Sequence, residues 1–421
     1  SSSLARLSAN PRLALVKHPK LRLTLILVCS FLTPAWAAPI STPSPVSPTA
    51  RAMIPAPPQL GAKSWVLMDA TTGTIIGSQN ADMRLPPASL TKLMTVYVAT
   101  NEIQAGRLKA DDTVTVSENA WKTGGSRMFL DPGAVVPVHD LLRGVVIDSG
   151  NDASVALSEH IAGSEDAFAG LMNATANKLG LTDTHFMNPT GLPAPGHYSS
   201  AHDMARLARA IINDESAYYS LYAHKYFTWN SIRQPNRNLL LWSDPSVDGL
   251  KTGHTEEAGY CMVTSALRDG RRLISAVFGS TTLNNRAEDT QKILNYGFRF
   301  FETKTYQQGG QVLAQPRLWK GEKNIISVGL LDDVTLTLPK NSNRKVESRL
   351  HINNALEAPI AVGDVVGSFE LYDGKNKLTT QSLIALEAGE AGGWWTRAWD
   401  AFHLFFAELF DLKDDSGEVK A

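Results

Sequence analysis

The rhythm of apolar and polar positions divides this 421-residue chain into stretches of different character. Residues 23–33 (LTLILVCSFLT) form one apolar run, whereas residues 38–60 dissolve into Pro, Ser, Thr and Ala. That composition buries too little apolar surface to order itself and predicts a linker. Residues 64–80 (SWVLMDATTGTIIGSQN) give two apolar runs around Thr-Thr-Gly, a strand-hairpin signal. From Ser89 to Ile212 apolar residues recur at three and four. In SLTKLMTVYVATNEIQAG the positions Leu90, Leu93, Met94, Tyr97 and Val98 make a stripe, and ALSEHIAGSEDAFAGLMNATANKLG keeps helical spacing up to a stop at Gly180.

Strand signals return at Val247. GYCMVTSALRDGRRLISAVFGS is two β-rich runs around Asp269-Gly270, a strong hairpin turn, and NRAEDTQKILNYGFRFFET closes with a helix. Strands at both ends with helices between them predict an α+β domain over 61–303, its sheet assembled from both ends of the segment. Over 304–388 short β-rich runs recur at roughly ten-residue spacing, with a second hairpin turn at Asp373-Gly374, which predicts a small all-β domain. Residues 390–412 (from GGWWTRAWDAFHLFFAELF onward) carry seven aromatics at helical spacing and predict an amphipathic helix, ahead of a polar tail over 413–421.

Composition narrows the picture only at the N-terminus. A formal net charge of -1 gives no footprint for nucleic acid, and no histidine pair has metal-ligand spacing, so neither metal nor cofactor is expected. Arg6, Arg12, Lys17, Lys20 and Arg22 precede the apolar run and Ala35-Trp36-Ala37 follows it, which reads as a signal peptide over 1–37. An uncleaved N-terminal anchor is the other reading, and the first residue, Ser rather than Met, leaves room for a start upstream. Cys29 falls within the leader and Cys261 within a strand, where it reads as a small buried hydrophobe; no internal disulfide is expected in the exported chain.

The candidate chemistry starts at Ser89 and Lys92. Positions i and i+3 share a helical face, so the two side chains adjoin at the start of the predicted helix. A serine hydroxyl is a poor nucleophile until a base takes its proton, and lysine serves as that base only when neutral. Its pKa must fall from about 10.4 toward 7, through burial and a nearby positive charge. Lys251 in DGLKTGHT is a candidate for that charge. Lys251 can also attract a substrate carboxylate, Thr252 can donate to it, and Gly253 leaves room for a substrate backbone to pass. Between them, DSGNDAS places Ser149 and Asn151 around Gly150: Ser149 can relay a proton and Asn151 can hold a substrate amide.

Each motif has a competitor: Ser342 with Lys345, Lys122-Thr123-Gly124, and the S-x-N triplets at Ser8, Ser78 and Ser117. Order and context exclude them. Ser342 sits in a polar loop, Lys122 precedes the Ser149 loop, Ser8 lies in the leader, Ser78 precedes Ser89, and Ser117 follows it too closely for a helical layer. The ordered set resembles the penicillin-recognising serine enzymes, which combine S-x-x-K, S-x-N and K-T-G. SLTKLM, SGNDAS, FTWNSIRQPNRNLLLW, VDGLKTGHT and NYGFRFFET further resemble the low-molecular-mass penicillin-binding proteins of the type-five D-alanyl-D-alanine carboxypeptidase group.

That resemblance implies a transpeptidase-like domain with an antiparallel sheet and helices, then a β-rich domain. It implies an enzyme that removes the terminal D-alanine from peptidoglycan pentapeptide stems and is acylated by β-lactams. Ser89 would be the nucleophile and Lys92 its base, with Ser149, Asn151 and Lys251 completing the network. Thr252 and Arg286 would bind the terminal carboxylate, and an exposed arginine at a helix start is the other reading of Arg286. Ser126 would lie near the substrate. The backbone N–H groups of Ser89 and His254 would form the oxyanion hole, with the His254 side chain a contact at the site's edge rather than a base. The C-terminal helix would anchor the chain to the periplasmic side of the inner membrane, or else dock on its own β domain or a partner. Two other functions stay open at this stage: a serine β-lactamase and a non-catalytic β-lactam- or peptidoglycan-binding protein.

Overall fold

The computed structural model describes residues 54–409 and 418–420, apart from Glu215 and Ser342. The apolar run at 23–33, Cys29, most of the linker, Ser342, Phe410 and the first part of the tail lie outside the described residues.

Two hairpins distant in sequence build one sheet. β1 (Ser64–Asp69) and β2 (Ile75–Gln79) form the first, and β4 (Gly259–Arg268) and β5 (Arg271–Ser280) the second. Asp269 and Gly270 join the second hairpin with φ of 49° and 76°, the pair of positive values that a tight hairpin turn needs. β3 (Val247–Thr255) completes an antiparallel sheet of order β2-β1-β5-β4-β3, so β3 is an edge strand. Both faces are covered. Val66 and Met68 enter a core shared with a layer of helices, while Trp65 and Leu67 enter a second core closed by α6 (Leu283–Phe300). This alternation is the period-2 consequence of the strand, and it explains why β1 reads as apolar on both sides.

The helical layer comprises α1 (Thr91–Gln104), α2 (Val138–Val146), α3 (Asn151–Ala162), α4 (Glu165–Lys178) and α5 (Ala201–Asp214). The apolar stripe expected on α1 understates its burial: every residue from Thr91 to Thr100 is buried, so the helix is enclosed on all sides. Residues 156–180 are two helices. Gly163, at φ 87°, ends α3, and the Ser164 hydroxyl caps α4 by accepting from the Ala167 N–H. One hairpin was not anticipated: Tyr226–Trp229 pairs with Ile232–Pro235 across Asn230 and Ser231, both at positive φ.

Between Phe301 and Ala385 the regular elements are all strands. Phe301–Gln307 pairs with Val334–Pro339, and a six-stranded sheet runs Val312–Ala314, Val328–Gly329, Asn376–Ala385, Val365–Asp373, Val346–Ile352 and Glu418–Lys420. The junction with the first sheet is polar. Asp69 is buried, and its carboxylate accepts from Thr303 Oγ1, from Thr337 Oγ1 at 2.7 Å and from the Thr71 N–H at 2.8 Å.

α7 (Trp394–Leu409) docks by its polar side. Asp400 is buried and accepts from the Lys320 N–H at 2.7 Å and from Arg317 Nη2 at 3.3 Å. The aromatic side faces outward: Trp395 is 72% exposed, Trp399 65% and Phe405 59%. Docking on the β domain thus leaves the aromatic stripe uncovered. Among the described residues no helix is long and apolar enough to cross a membrane.

Candidate active site

The turn that carries Ser89 is forced into place from both sides. Pro86 and Pro87 bar a preceding helix. Ala88 then adopts φ 50°, a left-handed conformation costly for a residue with a Cβ, and Ala88–Leu90 forms a single 3₁₀ turn leading into α1. Two glycines make the crowding possible. A Cβ on Gly191 would lie 1.8 Å from the Ala88 carbonyl oxygen, and one on Gly253 would lie 3.0 Å from the Ser89 nitrogen. Gly253 therefore lets β3 approach the serine turn itself, a role the sequence assigned only to a passing substrate.

Lys92 is 1% exposed, and its amine has three neighbours: Ser89 Oγ at 3.0 Å, Asn151 Oδ1 at 2.6 Å and the Thr190 carbonyl at 2.7 Å. A neutral amine has two N–H bonds and one lone pair. The two carbonyl oxygens can only accept, so they take the N–H bonds and leave the lone pair for the Ser89 hydroxyl proton. Burial pushes the Lys92 amine down to about 7, Arg237 pushes the same way, and Asp152 opposes. The positive charge expected from Lys251 is supplied chiefly by Arg237.

The other three motif residues converge on the same point. Ser149, at φ 55°, stands just before α3, and Asn151 is the first residue of that helix. The Asn151 side-chain amide donates to the Gly124 carbonyl at 2.8 Å, which fixes the orientation of its oxygen toward Lys92. Lys251, buried in β3, donates to Ser149 Oγ at 3.0 Å and to the Thr252 carbonyl at 2.9 Å. Burial, Lys92, Arg237 and Arg286 hold its pKa well below the usual lysine range. The competing Lys122 is an exposed partner of Glu118 and does not enter the site, although the loop after it supplies Gly124 and Ser126.

A cavity of about 620 Å³ opens on Ser89, with Ser126, Ser149, Thr252, Gly253, His254, Arg237 and Arg286 among its lining. Arg286 is 4% exposed, so the exposed-helix reading fails; its Nη1 donates weakly to the carbonyls of Gly253 (3.3 Å) and Cys261 (3.4 Å). Its guanidinium lies over the Tyr260 ring at 5.5 Å, and Tyr260 packs against His254 with ring centres 4.1 Å apart and planes tilted by 30°. Cys261 is fully buried in β4, as its strand context predicts.

Three contributors escaped the sequence reading. Arg237 follows the unanticipated hairpin and donates to Ser126 Oγ at 2.6 Å. Asn236 and Asn238 on either side turn their amides inward: Asn236 donates to the His224 carbonyl at 3.1 Å, and Asn238 to the Gly249 carbonyl at 3.3 Å. The backbone is thereby pinned with Arg237 facing the cavity. The alternation around Asn230-Ser231 in FTWNSIR was the available signal. The Thr190 carbonyl is aimed by Asn188 Oδ1, which accepts from the N–H groups of Thr190 (3.2 Å) and Gly191 (2.8 Å). Asp148 is 1% exposed with neither carboxyl oxygen hydrogen-bonded. Burial and Asp152 raise its pKa to about 7 against the pull of Arg237.

Comparison with known proteins gives one consistent result. The family described as D-alanyl-D-alanine carboxypeptidase matches residues 51–282, and the one described as penicillin-binding protein 5, C-terminal domain, matches residues 301–391. The chain is 42% identical over 400 residues to the D-alanyl-D-alanine carboxypeptidase DacA of Escherichia coli K12, covering 93% of this chain and 97% of that protein. It is 36% identical to DacF of Bacillus subtilis over 80% of this chain and 87% of that one. Among solved structures, penicillin-binding protein 5 of Haemophilus influenzae superposes with a TM-score of 0.77 at 40% identity, over 80% of this chain and all of the other.

Proposed function

Because the chain belongs to the serine-type D-alanyl-D-alanine carboxypeptidase family, we propose that it removes the terminal D-alanine from peptidoglycan pentapeptide stems through an acyl-enzyme on Ser89. β-Lactams acylate the same hydroxyl. The observation that carries this reading is the Lys92 amine, held by two carbonyl acceptors with its remaining valence on Ser89 Oγ.

The peptide lies along the free edge of β3 as an added strand. Lys92 takes the Ser89 proton as Oγ attacks the penultimate D-alanine carbonyl. The oxyanion is met by the backbone N–H groups of Ser89 and His254, fixed donors that cost no reorganisation. Asn151 holds the substrate amide, and Thr252 with Arg286 holds the terminal carboxylate. The C–N bond breaks, and the proton taken by Lys92 reaches the departing amine by way of Ser149 and Lys251, which leaves Lys92 neutral again. Water then hydrolyses the ester, with Lys92 as base. Ser126 and Arg237 close the cavity wall beside the substrate.

The test is incubation with a pentapeptide ending in D-Ala-D-Ala, wild type beside Ser89→Ala, with free D-alanine measured. Wild type is expected to release it and the variant to release none. Silence from the wild type would overturn the enzyme reading, and release by the variant would remove Ser89 from its role. The β-lactamase alternative is disfavoured by the absence of a Glu-x-x-Asn pattern, which in class A enzymes supplies the deacylating base. A persistent acyl-enzyme is therefore expected with penicillin; rapid turnover would restore the alternative.

The outward aromatic face of α7 supports a peripheral anchor in the interface of the inner membrane, on the periplasmic side to which a leader over 1–37 would deliver the chain. A chain ending before Gly392 is expected to leave the membrane fraction with its activity intact. Continued membrane retention would contradict the anchor.

A further inference from the structure

The terminal D-alanine offers the enzyme one methyl group, yet the cavity beyond its carboxylate grip is built for more. Leu239 and Trp242 are each 42% exposed and Leu283 is 41% exposed, and all three line the same 620 Å³ cavity as Arg286 and Thr252. Leu283 opens α6 and precedes Arg286 by three residues, so the two side chains share a helical face and stand side by side. Trp242 is held edge-on against Tyr226 at 5.8 Å, which keeps its indole from folding away. Large apolar side chains half exposed within a concave site are ligand-contacting surface rather than leftover core.

Resting on the carboxypeptidase reading above, we infer that Leu239, Trp242 and Leu283 form a leaving-residue shelf that lets the enzyme release C-terminal D-amino acids with branched or aromatic apolar side chains, as well as D-alanine. The carboxylate of such a residue sits on Thr252 and Arg286 in the same way. Its side chain points past Leu283 toward Trp242, where it displaces water from apolar surface. The chemistry is unchanged: the Ser89 Oγ–carbonyl bond forms, the amide C–N bond breaks, the Ser89 proton ends on the departing amine, and water regenerates the enzyme. The gain is in leaving-group recognition alone. An apolar pocket distinguishes side chains by roughly tenfold or somewhat more per contact made or lost.

The experiment uses the full chain and three N-acylated peptides identical except for a last residue of D-Ala, D-Leu or D-Asn. D-Leu and D-Asn have nearly the same shape, so their comparison separates apolar contact from room. The expected kcat/KM for D-Leu is about tenfold above that for D-Asn. In Trp242→Ala and Leu283→Ala the ratio of D-Leu to D-Ala release falls by a similar factor, with D-Ala release in each variant serving as its own folding control. Equal rates for D-Leu and D-Asn in the wild type, or an unchanged ratio in both variants, would overturn the shelf and leave the carboxypeptidase intact. Failure to release D-Ala in the wild type would remove the carboxypeptidase reading and the shelf with it.

Discussion

The cavity around Lys92 and the junction around Asp69 both bury charge, and they do so in opposite ways. At the junction one carboxylate is surrounded by donors: Thr303, Thr337 and the Thr71 backbone all point hydrogens at it. In the cavity Lys92, Lys251, Arg237 and Arg286 crowd together, while Asp148 lies buried without a hydrogen bond. Burial and the neighbouring basic groups disfavour the charged form of both lysines. The junction is a satisfied polar cluster that ties the catalytic sheet to the β domain. The cavity is a cationic one, and burial, helped by repulsion from Arg237, is what empties Lys92 of its proton near neutral pH. Stability and reactivity are thus kept in separate clusters, and substitutions should separate them.

Lys92→Met should show the larger effect. Loss of the base is expected to slow acylation by penicillin by about 10²–10⁴-fold. Removing a buried amine whose pKa has dropped from 10.5 to about 7 relieves roughly 5 kcal/mol of electrostatic cost, offset by the loss of its bonds to Asn151 and Thr190. The thermal midpoint at pH 7 should therefore be no lower than in the wild type, and a marked drop would contradict this account. Asp69→Ala should do the reverse. It strands the Thr303 hydroxyl, leaves Thr337 with Thr72 alone, and is expected to cost about 2–4 kcal/mol in urea unfolding. The acylation rate at 25 °C should be unchanged, and a matching loss of rate would show the two clusters to be coupled.

Within the cavity, Arg237→Gln sharpens the role of charge. Arg237 disfavours the ammonium form of Lys92, so its removal raises the Lys92 pKa and leaves less free amine at pH 7. The acidic limb of the acylation profile should lie near pH 7 in the wild type and move upward by about 0.5–1 unit in the variant, with rates converging in alkali. An unmoved limb would assign the low pKa to burial alone. Asp148 tests the same contrast through the pH dependence of stability. The folded state keeps its proton up to about pH 7 and the unfolded chain loses it near 3.8, so stability falls as pH rises between those values. Relative to wild type, Asp148→Asn should gain roughly 4 kcal/mol between pH 4 and pH 8 if the carboxyl moves from 3.8 to about 7 on folding. A difference independent of pH would mean that Asp148 is ionised throughout.

Much of this was legible before any coordinates. The Asp269-Gly270 turn, the return of strands at Val247 and the texture of the β domain are local signals, and the fold follows them. The Ser89 and Lys92 pair, Ser149, Asn151 and Lys251 were identifiable by spacing and order, and the fold brings them within hydrogen-bond reach. Arg237 was not identifiable, because a lone arginine between two asparagines carries no periodicity. The Thr190 carbonyl has no side-chain signature at all. The direction in which α7 faces was also hidden: its stripe was visible, but only the Asp400 contacts with Arg317 and Lys320 show which side docks.

The sequence alone determined which residues are neighbours on a helix turn, where the chain reverses, and which motifs follow one another, since these depend on bonds and dihedral preferences over a few residues. Only the tertiary structure decided that Lys92 is neutral enough to act. That state is a sum over Asn151, Thr190, Arg237 and the enclosing core, groups between 59 and 145 residues away along the chain, whose fields add only once they are folded around it.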